Sequence, residues 1–290
     1  EVSSGESAVQ QLLAQLAEQA GVVPPRGSEG SGEGIADVEP QMDRAEELRE
    51  EWSVETGQSW TLGKHRVVCG DCTDKAVVDR VMDGEEATAI LTDPPYGQNQ
   101  PGIPGDTPEA HAALMLSASR QLPCHNGIAM AFCSPRTFPH WLDAMRSQEW
   151  HFERMLWLYK AAQETFPWRG WLLKSEAILV CSIGIPSWQD VHPYTHDCYY
   201  KNEVSGELDA SLGWHGSVKP LDVVRDLLQR IAQPQAIVYD PFLGSGTTLI
   251  ACEQLGRVCR GIELDPGYVS VCLERYFQAT GVTPVLLERR

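Results

Sequence analysis

The sequence has no apolar run near the ~20 residues that a membrane-spanning helix needs. Its longest such run, Ala177 to Ile185, is the size of one strand. A basic start and an apolar signal core are also missing. The chain opens on Glu1 rather than methionine, so it is expected to be a piece of a longer protein. Positive charge is scarce: 23 Lys and Arg face 40 Asp and Glu, a net −17. Taken alone, that balance argues against a nucleic-acid partner. The deficit is uneven, because residues 1–60 hold 13 acids and 3 bases and the rest of the chain 27 and 20. Nucleic-acid binding would therefore need a local positive groove rather than a positive domain. A disulfide framework is absent too. Nine cysteines, an odd number without regular spacing, read as reduced thiols of a cytoplasmic protein. Cys69 and Cys72 form a C-x-x-C pair, but a tetrahedral zinc site needs two more ligands at matching spacing and no second pair exists. No metal is expected.

What is present falls into two textures. Ser7 to Gly21 has helical apolar spacing and a Gly stop. Pro24 to Gly34 is rich in Gly, Ser, Pro and Glu and reads as a linker. "MDRAEELREEW" reads as a short charged helix with a solvated face. From Trp60 onward, continuous apolar strands alternate with amphipathic helices. The division expected is residues 1–59, a helix plus acidic linker, and 60–290, an α/β domain with a parallel-rich sheet covered on both faces. Ile185 to Trp214 has little periodicity and reads as loop.

Two strand ends carry the chemistry. "AILTDPPYGQ" (Ala89 to Gln98) is an apolar run stopped by Pro94 and Pro95, placing Asp93 and Tyr96 at the mouth of a buried strand. In "AIVYDPFLGSGTTLIACEQLG" a strand ends at Asp240, and Thr247 opens a helix after the loop Phe242 to Gly246. Gly244 and Gly246 allow a tight turn and close approach of backbone to a ligand, and the helix start offers free N–H groups. Glu263 ends the next strand, 17 residues after Gly246, where an acid typically takes ribose hydroxyls. Gly244-Ser245-Gly246 alone is a weak fingerprint; with Glu263 it points to a nucleoside-type cofactor. The bland alternative is a tight turn and a surface glutamate.

Together, Asp93-Pro94-Pro95-Tyr96 and Phe242-Leu243-Gly244-Ser245-Gly246 resemble the catalytic and cofactor motifs of the amino-methyltransferases that act on exocyclic nitrogens of DNA bases. Trp60 to Asp74 resembles that family's opening block, His215 to Leu228 its H-x-x-x-K-P helix, and Gly261 to Tyr276 its acidic ribose block. The catalytic motif comes first, the order of the β group. The resemblance implies a Rossmann-like S-adenosylmethionine-dependent methyltransferase fold, with a mostly parallel seven-stranded sheet and helices on both faces. It implies S-adenosylmethionine as cofactor, DNA as partner and base flipping. It also admits a homodimer and an upstream ParB-like domain outside this chain.

Carried over residue by residue, Asp93, Pro94, Pro95 and Tyr96 are the catalytic set. Asp93 and the Pro94 carbonyl would accept the two hydrogens of an amino group, and Tyr96 would stack on an extruded base. The cofactor set is Asp71, Cys72, Asp93, Lys219, Asp240, Phe242, Gly244, Ser245, Gly246, Thr247 and Glu263. Asp71 would lie near the cofactor's adenine or be a turn acid. Lys219 would reach the cofactor's carboxylate or cap a helix. Thr247 would bond the cofactor or cap its own helix. His215 stands even with an ordinary loop histidine. Trp168, Arg169, Trp171 and Lys174 mix aromatic and basic side chains that suit nucleic acid, or else pack on the domain edge. Tyr96 to Asp106 would be a mobile lid or a short surface loop, and only Gln98 to Glu109 and Ile185 to Trp214 offer spare length for a recognition insertion.

Aspartate at 93 favours adenine N6, because β-group cytosine-N4 enzymes more often have serine there. Cytosine N4 stays open, as do methylation of an RNA base or a protein amide and a catalytically silent cofactor- or DNA-binding subunit. The recognition sequence is not legible.

Overall fold

The computed structural model describes Ile35 and residues 37–97, 106–160, 169, 171–201 and 218–289. The helix expected over Ser7 to Gly21, the linker, Trp168 and His215 lie outside the described residues. The compact unit that carries the sheet runs from Ile35 to Arg290.

Long apolar runs become central strands because only there are both faces covered. Strand β3 (Ala89–Thr92) and strand β4 (Gly127–Cys133) are buried at every position. They sit within a parallel set formed by β2 (His65–Cys69), β9 (Val258–Glu263), β8 (Ile237–Asp240), β3 and β4, in that spatial order. Strand β6 (Ser175–Ile183) joins β4 antiparallel, and β5 (His151–Lys160) joins β6. These seven strands are the expected sheet. Three more widen it to ten among the described residues: β1 (Gln58–Leu62) and β10 (Val285–Arg289) beyond β2, and β7 (Cys198–Lys201) beyond β5. Strand β7 corrects the reading of Ile185 to Trp214 as all loop. Its four residues alternate exposed and half-buried at a sheet edge, too short a pattern to separate from a loop by sequence.

Helices cover both faces. On one lie α2 (Lys75–Met82), α3 (Pro108–Ser119) and α4 (Phe138–Ser147), burying Val77, Met115 and Trp141. On the other lie α5 (Leu221–Ile231), α6 (Thr247–Leu255) and α7 (Pro266–Thr280), burying Leu227, Leu249 and Leu273. The charged helix α1 (Ala45–Trp52) is not solvated all round. Its Leu48 is fully buried, and its Trp52 donates to Glu274 at 3.1 Å and meets Phe277 edge-on. Among the described residues, no helix is long and apolar enough to cross a membrane.

Candidate active site

The parallel strands all end at one edge, and the predicted residues lie along it. β3 and β8 are adjacent, with Ala89 opposite Val238 and Ile90 opposite Tyr239. Just beyond, the buried Thr92 hydroxyl donates to Asp240 Oδ1 at 2.7 Å. The Asp-Pro-Pro-Tyr turn and the Gly loop are thereby fixed side by side. Asp240 also accepts from Phe242 N–H at 3.1 Å, and burial pushes its carboxyl up to about 6.

The turn is held from several sides. His111, on α3, meets the Pro95 carbonyl through Nε2 at 3.0 Å and His140, on α4, through Nδ1 at 2.9 Å. A carbonyl can only accept, so His111 carries its proton on Nε2. Thr137 donates to the Tyr96 carbonyl at 3.1 Å, and Gly97 N–H donates to Asp106. The Pro94 carbonyl has no hydrogen-bond partner among the described residues. It is the acceptor the turn leaves over.

Asp93 is oriented through both oxygens. Tyr96 donates its hydroxyl to Oδ1 at 2.9 Å, and the Lys219 ammonium lies 2.6 Å from Oδ2. The Asp93 side chain is 33% exposed. Lys219 is buried and also lies 5.3 Å from the ring centres of Tyr96 and Phe132, within cation–π range. Its resemblance-based place was the cofactor's carboxylate; here its ammonium is engaged by Asp93 and, at 3.5 Å, by Glu176. The other oxygen of Glu176 accepts from Lys160 at 2.6 Å. Burial pushes the Asp93 carboxyl up against the pull of Lys219. Burial acts the same way on Glu176, where the two lysines overcome it and hold the carboxyl below its ordinary value. Burial disfavours the Lys219 ammonium, yet the two acids keep it above its ordinary value.

The Gly loop has the form a nucleoside-type ligand needs. Gly244 and Gly246 adopt φ of +55° and +83°, which side chains rarely tolerate. A Cβ on Gly246 would lie 2.6 Å from Cys272 Sγ, so that glycine is also required by packing. A Cβ on Gly244 would meet nothing within 4 Å, so this stretch of backbone borders open space. Glu263 accepts from Gly244 N–H and Asp265 N–H, both at 2.8 Å, and burial pushes its carboxyl up to about 7. Each carboxylate oxygen keeps acceptor capacity for a hydroxyl. The residues present fit the cofactor the resemblance implies.

Other predicted residues are placed as follows. Thr247 Oγ1 accepts from Arg275 at 3.0 Å rather than capping α6, whose N-cap is Gly246. Ser245 gives its carbonyl to the same arginine at 3.2 Å. Phe242 is partly buried against the α2–α4 side of the core. Asp71 and Cys72 follow β2, whose end meets β9 through Gly70 N–H to the Glu263 carbonyl at 2.8 Å. Asp71 is exposed and accepts from Thr73 N–H and hydroxyl in a local turn, while Cys72 is buried. Trp171 is 70% exposed. Sequence reasoning missed Glu176, Lys160, His111 and Arg275. The available signal was an acid or base embedded in an apolar strand or helix face.

Residues 152–274 match the family model described as DNA methylase. The type II methyltransferase M.HindIII of Haemophilus influenzae is 29% identical over 125 residues, 43% of this chain and 40% of its own length. The matched part thus spans well under two thirds of that relative. Among solved structures, the M1.HpyAVI–SAM complex superposes with a TM-score of 0.57 at 21% identity, covering 72% of this chain and 97% of its own. PvuII DNA methyltransferase (cytosine-N4-specific) gives 0.61 at 13%, covering 79% and 92%. At such identities the structures speak to the fold alone. The family-model match runs from β5 into α7 and takes in the Gly loop and Glu263, so over that stretch the chain is similar to the DNA methylases.

Proposed function

We propose that this chain transfers a methyl group from S-adenosylmethionine to the N6 amino group of adenine in DNA, as a modification methylase of restriction–modification or phage-like type. The observation that carries the reading is the Thr92–Asp240 bond, which fastens the Asp-Pro-Pro-Tyr turn beside the Gly loop. The cofactor, when bound, supplies an electrophilic methyl on a sulfonium. The rest falls to the chain.

An exocyclic amine is a poor nucleophile because its lone pair is delocalised into the ring. Asp93 and the Pro94 carbonyl accept its two hydrogens and turn the lone pair out of the ring plane. The prolines fix the direction of both acceptors, so most of the effect is positioning. Tyr96 offers a ring to a base taken out of the duplex. Gly244 backbone and Glu263 hold the nucleoside part of the cofactor, with Asp71 and Cys72 at the neighbouring strand end. Adenine is preferred because position 93 carries aspartate.

The test is incubation of the purified chain with labelled S-adenosylmethionine and DNA, RNA or protein, followed by mass spectrometry of the products. N6-methyladenine in DNA is expected, abolished by Asp93→Ala with cofactor binding retained. N4-methylcytosine would replace the adenine assignment. Cofactor binding without transfer to any DNA would overturn the enzyme reading in favour of a binding subunit.

A further inference from the structure

We propose that Glu176 and Lys160 are positioning residues that set the charge and aim of Asp93 through Lys219. The inference rests on the proposed methyl transfer for its function, but not for its geometry.

Four charged side chains from four parts of the fold alternate in sign: Asp93 after β3, Lys219 ahead of α5, Glu176 at the start of β6 and Lys160 at the end of β5. The links are 2.6 Å from Asp93 to Lys219, 3.5 Å from Lys219 to Glu176 and 2.6 Å from Glu176 to Lys160. The side chains of Lys219, Glu176 and Lys160 are 7%, 12% and 12% exposed, so water screens them little. Removing one partner from such a chain leaves an uncompensated buried charge.

The unequal distances give the chain a direction. Lys219 stands close to Asp93 and loosely on Glu176, because Glu176 is itself drawn away by Lys160. Lys160 therefore leaves the Lys219 ammonium to Asp93. A neutral Asp93 would turn one oxygen into a donor and lose an acceptor for the substrate amine. The titratable groups that face Asp93 are Lys219, Glu176, Tyr96, Cys133 at the end of β4 and Asp240 at the end of β8; Lys160 acts on it mainly through Glu176.

The arrangement makes two neighbours act with opposite sign. Glu176→Gln removes a like charge and gives Lys219 wholly to Asp93, so Asp93 should titrate at lower pH. Lys160→Met frees Glu176 to pull on Lys219 and leaves its charge uncompensated, so Asp93 should titrate at higher pH. Displacements of about half to one pH unit are expected. Without Glu176 on its far side, the Lys219 ammonium is held from one side only and shifts toward Asp93, so the aim of Asp93 changes and kcat of Glu176→Gln should fall on the order of tenfold at its own optimal pH.

The experiment is carbon-13 NMR titration of the chain carrying [4-13C]aspartate, with the Asp93 signal assigned through Asp93→Asn, alongside the pH profile of kcat for wild type and both variants. Equilibrium binding of S-adenosylmethionine, retained within about threefold, checks that each variant folds. Opposite displacements of the Asp93 titration support the inference, even if the wild type transfers no methyl; that second result would fell the proposed function alone. Displacements of the same sign, or none, in folded variants would overturn it even if the wild type is an active methyltransferase.

Discussion

The Thr92 hydroxyl donates to the Asp240 carboxylate across 2.7 Å, joining the last residue of β3 to the last residue of β8. It ties together two segments almost 150 residues apart in sequence, and the proposed reaction needs both. Thr92→Val keeps the shape and removes the donor. The expected loss of stability is about 1–2 kcal/mol, the usual cost of stripping a buried acceptor of one partner. Burial already pushes Asp240 up to about 6, and losing Thr92 pushes it further. A carboxyl raised in the folded state stabilises most below its unfolded value, and that contribution is lost as pH rises through the folded value. The variant should therefore lose more stability at pH 8 than at pH 5. Urea midpoints at the two pH values check this; equal losses would mean that the bond does not act on a buried charge.

Glu263 gives a pH signature of its own. Burial, only partly offset by the N–H groups of Asp265 and Gly244, raises its carboxyl from 4.5 to about 7. Its contribution to stability is full below pH 4.5 and is lost as pH rises toward and through 7. The span corresponds to up to about 3 kcal/mol between the ends of that window. Glu263→Gln cannot ionise, so its stability should vary less between pH 4.5 and 8 than the wild type's, even though the amide loses one of the two backbone bonds. Chemical denaturation across that range measures the difference in slope, and parallel curves would contradict a buried acid at this position.

The legible part of this molecule was whatever short-range pattern determines. Val67 to Cys69, Ala89 to Leu91 and Gly127 to Cys133 are apolar without interruption, so they read as buried strands, and they lie inside the sheet. The two proline- or glycine-stopped strand ends were legible for the same reason. The structure adds what sequence could not supply, that they lie on adjacent strands. Edge elements were obscure, because Cys198–Lys201 and Val285–Arg289 are short, and their pairing comes from β5 and β1 rather than from their own residues. The support of Asp93 was obscure for a different reason. Glu176 meets Lys219 only because β6 runs antiparallel to β4 and α5 begins beside it, and no local spacing encodes that meeting. Lys219 stood out in the sequence as a candidate, but its buried position toward Asp93 depends on those same long-range contacts.

Arg275 links the Gly loop to the segment ahead of α1. It is 3% exposed, donates to the carbonyls of Val38 at 2.7 Å and Ser245 at 3.2 Å and to Thr247 Oγ1 at 3.0 Å, and pairs with Asp37 at 3.6 Å. One guanidinium thus braces both the turn after Gly244 and the first residue of α6. Arg275→Met keeps the apolar stem and strips every one of these acceptors. Hydrogen bonds from a charged donor are worth roughly 2–3 kcal/mol, so a stability loss of that order is expected. Because the loosened groups belong to the loop itself, affinity for S-adenosylmethionine should fall about tenfold or more at a temperature where the variant is fully folded. Asp37→Asn touches only the half-exposed end of the link and should leave affinity within about twofold. Calorimetric titration of the three proteins decides it. An Arg275→Met variant that is destabilised yet binds the cofactor normally would make the arginine a brace for the helix alone, whereas a loss of affinity beside an unaffected Asp37→Asn would place its effect in the bonds to Ser245 and Thr247.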